Sequence, residues 1–192
     1  MNMKKIIKLA KIVEPCQRNW DYSYSIPKDH LDYICNVATT MPTKQNKDSY
    51  ELYCITNKEV IQKVFEVAYN IDDMGYTYLQ NTQARANGLL IWTLNKKGIK
   101  DLADSNVNIG ISAGAASLAA AELGYKTGFC KCFIVDKVKE IVSKHPSHVP
   151  QLVLGFGMPD SRFDRRFIVE DEKQIGIKIS KGPKNIAVHY KI

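Results

Sequence analysis

No apolar run in this chain is long enough to cross a bilayer. The longest, residues 107–121, is broken by Asn108, Ser112 and Ser117 and is mostly Gly and Ala, well short of the ~20 strongly apolar residues a span requires. A secretion signal is not expected either. Lys4, Lys5, Lys8 and Lys11 are scattered among the apolar positions of the first helix-forming stretch, where a signal peptide would keep a basic start apart from a continuous apolar core. Cysteine is sparse and odd in number, with Cys16, Cys35, Cys54, Cys130 and Cys132. That suits a reducing compartment better than a disulfide framework. The expectation is a cytoplasmic protein. With 45% hydrophobic and 24% charged residues over 192 positions, the composition excludes wholesale disorder. It predicts a single domain over residues 1–192, burying roughly 70% of its unfolded surface.

Catalytic and metal signatures are equally scarce. Gly155-Phe156-Gly157 lacks the third glycine of a dinucleotide fingerprint and is followed too soon by Pro159. There is no Walker A sequence, and Lys181-Gly182-Pro183-Lys184 reads as a turn. His145-Pro146-Ser147-His148 has a spacing metals use, but it sits between prolines in an expected loop with no third ligand nearby. Cys130-Lys131-Cys132 is one residue short of the Cys-x-x-Cys spacing, and packing is the better reading. His30 and His189 stand alone as surface or packing residues. No serine or cysteine carries a nucleophile signature, so a hydrolase driven by side chains is not supported.

Positive charge, by contrast, is plentiful. The formal net charge is +7, and it lies at the ends of the chain. Residues 1–18 carry five Lys/Arg against Glu14, and residues 161–192 carry eight against four Asp/Glu. Either both ends converge on one anion, such as a cofactor phosphate, or they are solvated arms or a nucleic-acid surface.

Periodicity places helices over residues 3–13, with Ile6, Ile7, Ala10 and Val13 on one face, and from Pro27 to about Met41, before Pro42. A strand is expected over 49–56, a helix over 57–69 and a buried strand over 88–94. Residues 70–87 fit no single element. A helix over 106–123, capped by Asp104 or Ser105, is apolar or small nearly all round. Gly110 and Gly114 leave that helix able to meet another at close range. Residues 126–135 read as irregular or strand, 136–144 as a short helix, 151–156 as a strand, and 185–190 as a possible strand. Helices followed by mixed strands and helices predict an α+β fold, not a doubly wound sheet.

Four separated pieces carry a resemblance. They are Arg18-Asn19-Trp20-Asp21 before Ser25-Ile26-Pro27; Ala38-Thr39-Thr40-Met41-Pro42-Thr43-Lys44-Gln45-Asn46 before a strand; an Ala/Gly-rich helix ending in Glu122-Leu123-Gly124; and a strand ending in Gly155-Phe156-Gly157-Met158-Pro159, followed by Arg165-Arg166. In this order they resemble the FMN-dependent nitroreductase family across nearly the whole chain. That implies a central antiparallel or mixed sheet flanked by helices with a buried central helix. It also implies a homodimer with FMN at the subunit interface.

The resemblance implies these site residues. Arg18 matches the family's phosphate-binding arginine, with Asn19 and Trp20 beside it. Pro42, Thr43, Lys44 and Asn46 fall in the segment that reaches the partner's flavin. Asn81, Gln83 and Arg85 would lie at the pyrimidine end of the ring, with Arg85 the candidate cation. Lys131 and Cys132 fall where backbone N–H groups face flavin N5 and O4. Arg165 and Arg166 look like C-terminal phosphate ligands. The chain departs from the pattern where Trp20 replaces the usual serine and Asp48 the usual glutamine. The implied activity is hydride transfer from NAD(P)H through flavin N5 to a small oxidant, such as a nitro compound or quinone, by a ping-pong route. No protein acid or base is obligatory, in keeping with the missing catalytic constellation. Neither nucleic acid nor membrane is an implied partner. A flavin protein without NAD(P)H turnover, or a basic nucleic-acid module, are the alternatives.

Overall fold

In the computed structural model, the residues described are 3–71, 77–95, 102–143, 145, 147–163, 167–170 and 173–176. Their order is α1 (Met3–Val13), α2 (Lys28–Thr40), β1 (Tyr50–Ile55), α3 (Lys58–Glu66), β2 (Tyr69–Ile71), β3 (Thr77–Gln80), β4 (Gly88–Asn95), α4 (Leu102–Glu122), β5 (Lys126–Cys130), α5 (Val135–Val142), β6 (His148–Gly157), β7 (Phe167–Glu170) and β8 (Lys173–Gly176). The central sheet has strand order β1-β4-β6-β5, and all three pairings are antiparallel. The α+β expectation holds, with the sheet antiparallel throughout.

Strand alternation sorts the core into two layers. Leu90, Trp92 and Leu94 of β4, with Leu154 and Phe156 of β6, pack beneath α2 and α4. Leu89, Ile91 and Val153 face the other way, toward Ile61, Val64 and Val138 of α3 and α5. Each fully buried side chain of this size stabilises the fold by about 1.5–3 kcal/mol relative to exposure, so β4 and β6 anchor both layers. β6 lies between β4 and β5, but β5 pairs only with residues 153–157, so at Pro150 the strand is paired on the β4 side alone. Proline cannot donate to the ladder, and the β4–β6 register shifts between Trp92 and Thr93, opposite Pro150. The bulge accommodates it. It also explains why the strand, expected only over 151–156, begins at His148.

Several boundaries differ from expectation. The 57–69 helix ends at Glu66, because Tyr69 N–H donates to Cys132 O (2.9 Å) and starts β2. Asn57 caps this helix, accepting from Glu59 N and Val60 N at 3.0 Å. Residues 70–87 divide into β2, β3 and a 3₁₀ turn, Thr82–Arg85, capped by Asn81. α4 starts at Leu102, so Asp104 and Ser105 lie inside it and do not cap it. There Asp104 suits the positive helix start and pairs with Lys44. Residues 126–130 are a regular strand, β5. The β7–β8 hairpin had no clear sequence signal. The 185–190 strand, His189 and the Lys181–Lys184 turn lie outside the described residues.

His148 is a buried strand residue, not part of a loop. Its ring shares a 2.9 Å hydrogen bond with the Tyr53 hydroxyl and stacks on His145 at 4.5 Å. His30 shares a 2.7 Å bond with the Tyr125 hydroxyl. No group of three or more His, Cys, Asp or Glu arranged for a metal occurs among the described residues.

The apolar stripe of α1 faces outward within one subunit. Ile6 and Ile7 are exposed, and Leu9 is the residue turned inward. α4 is buried nearly all round from Ser112 to Ala121, and on one side only over its first part. Ile109, Ala113, Ala116 and Ala120 pack in the core, while Val107 is 61% and Ile111 42% exposed. Built Cβ atoms at Gly110 and Gly114 would meet nothing within 4 Å.

Candidate functional site

The segment after α1 is threaded between two strands. Gln17 N–H donates to Thr127 O (2.8 Å), Asp21 N–H to Met158 O (3.0 Å), and Asp160 N–H to Asn19 O (3.0 Å). Trp20 bridges to Pro159 and is 2% exposed. Its indole Nε1 donates to Thr82 O (2.8 Å), fixing the 3₁₀ turn beneath it. Gly128 and Gly155 allow this close approach. A Cβ at Gly128 would stand 2.5 Å from Gln17 O, and one at Gly155 2.0 Å from Gln83 O. Asn87 ties the threaded segment down. Its Nδ2 donates to Asp21 O (2.7 Å) and Tyr24 O (3.0 Å), and its Oδ1 accepts from Met158 N (3.0 Å).

This scaffold frames a cavity of about 720 Å³ lined by Arg18, Asn19, Trp20, Ser23, Arg162 and Phe163, together with Tyr22 and the carboxylates Asp21 and Asp160. That volume lies in the range of cofactor sites. Arg162 is clamped by Asp160 through a fork: Nε to Oδ1 at 2.9 Å and a terminal nitrogen to Oδ2 at 2.6 Å. The guanidinium holds the Asp160 carboxyl below the usual carboxylate range. The Ser23 hydroxyl donates to Asp21 (2.5 Å) and, with the Ser23 backbone N–H, holds Asp21 low in the same way. Both carboxylates are therefore charged at neutral pH and orient their donors. Arg18 donates to Cys16 O (3.4 Å). Two guanidinium groups on one cavity form a donor set suited to a phosphate monoester.

The other expected residues fall elsewhere. Asn81, Thr82 and Gln83 are buried beneath the threaded segment, and the Asn81 side chain accepts from Gln83 N (3.1 Å). The Thr82 hydroxyl oxygen is buried with no hydrogen-bond partner among the described residues. Arg85 turns away from the Arg18 cavity. Its guanidinium lies 4.9 Å from the Tyr22 ring centre and 5.1 Å from that of Phe65, in a separate cavity of about 190 Å³ with Lys58 and Tyr24. Lys131 is exposed and Cys132 half-buried, just beyond β5. Cys130 is buried, and burial pushes its thiol up to about 12.

The 42–46 segment is not part of the Arg18 cavity in the same subunit. It is pinned to α4, with Lys44 N donating to Asn108 Oδ1 (3.1 Å), Asn108 Nδ2 to Ser49 Oγ (2.9 Å), and Lys44 Nζ paired with Asp104. Thr43, Asn46 and Asp48 line a separate recess of about 270 Å³. Gln45 and Asn46 both take left-handed backbone conformations, φ 57° and 53°, which is uncommon for glutamine. Pro42 lies at the surface just before this turn. Arg165 and Arg166 lie outside the described residues.

Sequence reasoning missed Arg162, Asp160 and Asn87. Asp160-Ser161-Arg162 carried a readable signal. An aspartate directly after Pro159 forms a turn with the backbone two residues on, and Arg162 N indeed donates to Asp160 Oδ1 (3.1 Å).

The Nitroreductase family model matches residues 16–158. Among solved structures, the chain is similar to a nitroreductase family protein from Clostridium difficile 630, with TM-score 0.67 and 22% identity over 84% of this chain and 86% of that one. It is similar to an FMN-dependent nitroreductase from Clostridium difficile R20291, with TM-score 0.66 and 15% identity over 81% and 88%. A third likeness is to a Staphylococcus epidermidis protein put forward as an NAD(P)H:FMN oxidoreductase, with TM-score 0.68 and 15% identity over 84% and 89%. No curated protein matches the chain. At these identities the structural likenesses show the fold alone.

Proposed function

Because the chain belongs to the nitroreductase family, a family of flavin-dependent oxidoreductases, we propose that it binds FMN in the Arg18 cavity and reduces a small oxidant at the expense of NAD(P)H. One observation carries this reading. Arg18, just after the first helix, and Arg162, in the basic C-terminal part, line the same cavity. The positive charge at the two chain ends thereby gains a common object, a terminal phosphate.

When bound, FMN supplies the hydride-carrying chemistry. The chain supplies binding and orientation. Arg18 and the clamped Arg162 would hold the phosphate, with Asn19 beside them. Trp20, fixed through Thr82 O, sets the cavity wall. The backbone at residues 131–132 would present N–H groups to the redox end of the ring, with Asn81 and Gln83 at its pyrimidine end. Arg165 and Arg166 are further phosphate ligands in this reading. Arg85, drawn onto Tyr22 and Phe65, would act on the ring's charge only by leaving that aromatic seat.

Two copies of the chain would complete the site. The outward faces of α1 and α4, with Ile6, Ile7, Val107 and Ile111 exposed, support a homodimer. The 42–46 segment, set apart from the Arg18 cavity, would serve the neighbouring subunit's flavin. No helix among the described residues is long and apolar enough to cross a membrane.

Steady-state kinetics with NADH or NADPH and a quinone or nitroaromatic test the activity. One cavity serving both substrates in turn should give parallel double-reciprocal lines. Intersecting lines would argue for two simultaneous sites and against this reading.

A further inference from the structure

Arg85 and Lys58 share a second cavity, of about 190 Å³, between the threaded segment, the start of α3 and the 3₁₀ turn Thr82–Arg85. No aspartate or glutamate lines it. Its walls are tied together. Asn87 Nδ2 holds the threaded segment at Tyr24 O (3.0 Å), and Lys58 Nζ reaches across to Tyr22 O (3.2 Å). Ile61 and Ala86, both buried, add apolar surface.

Both cations are short of a counter-charge. The Arg85 guanidinium lies against the Tyr22 and Phe65 rings, and among the described residues it makes no hydrogen bond or ion pair. Ring faces offset part of its charge but offer none of the oxygen acceptors that its N–H donors call for. Lys58 gives one ammonium proton to Tyr22 O and has others to spare. It also opens α3, where the helix dipole favours negative charge. Acids on the flanking segments are engaged elsewhere. Glu66 accepts from Gln62 Nε2 (3.1 Å), Asp21 accepts from Ser23, and Asp160 clamps Arg162. Two cations in one small recess without a carboxylate break the usual charge pairing of a fold, and such breaks are expected at functional sites.

We propose that this cavity binds the dianion of a phosphate monoester, held by Arg85 and Lys58. Two positive charges match the two negative ones. The guanidinium supplies a flat fork and the ammonium a point charge, and they come from different elements. Ser25 and Thr56 also line the cavity and carry hydroxyls. Donors that converge from separate elements suit a tetrahedral group better than a flat carboxylate. The volume exceeds the roughly 150 Å³ that takes a benzene molecule, so the phosphate and the first carbons of its ester fit together beside Tyr22 and Tyr24. The flavin phosphate is assigned elsewhere, because Arg18 and Arg162 line the other cavity and only Tyr22 borders both. Two sources present the same dianion. One is the 2′-phosphate of NADPH, and in that case the site rests on the proposed function and sets the choice of NADPH over NADH. The other is a separate phosphorylated metabolite.

The test is isothermal titration calorimetry of adenosine 2′-phosphate, adenosine and inorganic phosphate into the full chain with excess FMN, at constant ionic strength. Adenosine 2′-phosphate should bind at one site per subunit, inorganic phosphate should compete with it, and adenosine should not bind. Arg85→Gln should weaken binding by about 10–100-fold, the scale of a lost charge-assisted pair. Lys58→Gln, at the exposed start of α3, should weaken it severalfold, and Arg18→Ala should leave it unchanged. Circular dichroism establishes that each variant is folded. A KM for NADPH well below that for NADH, with a gap that closes in Lys58→Gln, identifies the nicotinamide as the source. Equal KM values with phosphate binding intact identify a separate phosphorylated ligand. The proposal is overturned if neither phosphate compound binds saturably, if folded Arg85→Gln and Lys58→Gln keep wild-type affinity, or if binding is lost in Arg18→Ala alone. The binding arms do not require flavin reduction, so failure of this site and failure of the proposed function are told apart.

Discussion

Asn87→Ala is the sharpest probe of the scaffold that shapes the cavity. The half-buried Asn87 side chain makes three hydrogen bonds to the backbone of two segments: to Asp21 O and Tyr24 O of one, and from Met158 N of the other. Alanine removes all three and leaves two carbonyls and one N–H to find water. Each bond contributes a net ~0.5–1.5 kcal/mol, more where the abandoned group stays desolvated. The expected loss is roughly 2–4 kcal/mol. For a chain of this size that corresponds to a fall in Tm of roughly 5–15 °C. Urea unfolding followed by circular dichroism measures it as a lower midpoint at unchanged slope. Asn87→Asp is the companion variant. It keeps the acceptor for Met158 N but sets a carboxylate against two carbonyl oxygens, so it should destabilise at least as much. A loss below about 1 kcal/mol in both variants would refute the reasoning.

Arg18→Ala should weaken FMN binding by roughly 1.5–3 kcal/mol, the scale of a charge-assisted hydrogen bond; equilibrium dialysis showing wild-type affinity would remove Arg18 from the site. Gly155→Ala places a methyl 2.0 Å from Gln83 O and should cost about 1–3 kcal/mol or more by overpacking, read as a lower urea midpoint; an unchanged midpoint would show that Gln83 moves freely. The double variant Val107→Asp/Ile111→Glu should convert a dimer to a monomer in sedimentation velocity at micromolar concentration, and a wild type already monomeric with full flavin occupancy would contradict the dimer reading. Replacing both Cys130 and Cys132 with serine should leave zinc content, measured by elemental analysis, at zero in both proteins; stoichiometric zinc lost in the double variant would reverse the packing assignment.

Elements whose signal is local were readable in the sequence. The 3.6-residue spacing of α2 and the aromatic, β-branched run of β1 appear where expected. What failed depends on tertiary context. Pro150 hid the start of β6, because only pairing with β4 supplies the bulge that tolerates it. Tyr69 continued a helical pattern but was captured by Cys132 O, a partner more than 60 residues away. The apolar stripe of α1 was correctly seen as a stripe, yet periodicity does not say which surface covers it, and within one subunit Ile6 and Ile7 stay exposed.

The site shows the same division. Arg18, Asn19 and Trp20 line one cavity. Arg85 was named from the resemblance alone, and sequence spacing does not reveal the Tyr22 and Phe65 faces against which its guanidinium lies. Arg162 and Asp160 form their fork within three residues, a local geometry that a turn-based reading of the Pro159 exit would have found. Asn87 offered no such clue, since its three partners come from positions far from it in the chain.

The most direct measurement is the visible spectrum of the purified protein, before and after FMN addition and desalting, followed by anaerobic titration with NADH and NADPH. A retained flavin band near roughly 450 nm that bleaches stoichiometrically with a nicotinamide is the expected result, and its release on heating as FMN identifies the cofactor. A protein that stays colourless after incubation with FMN, or a bound flavin that neither nicotinamide bleaches, would contradict the proposed oxidoreductase.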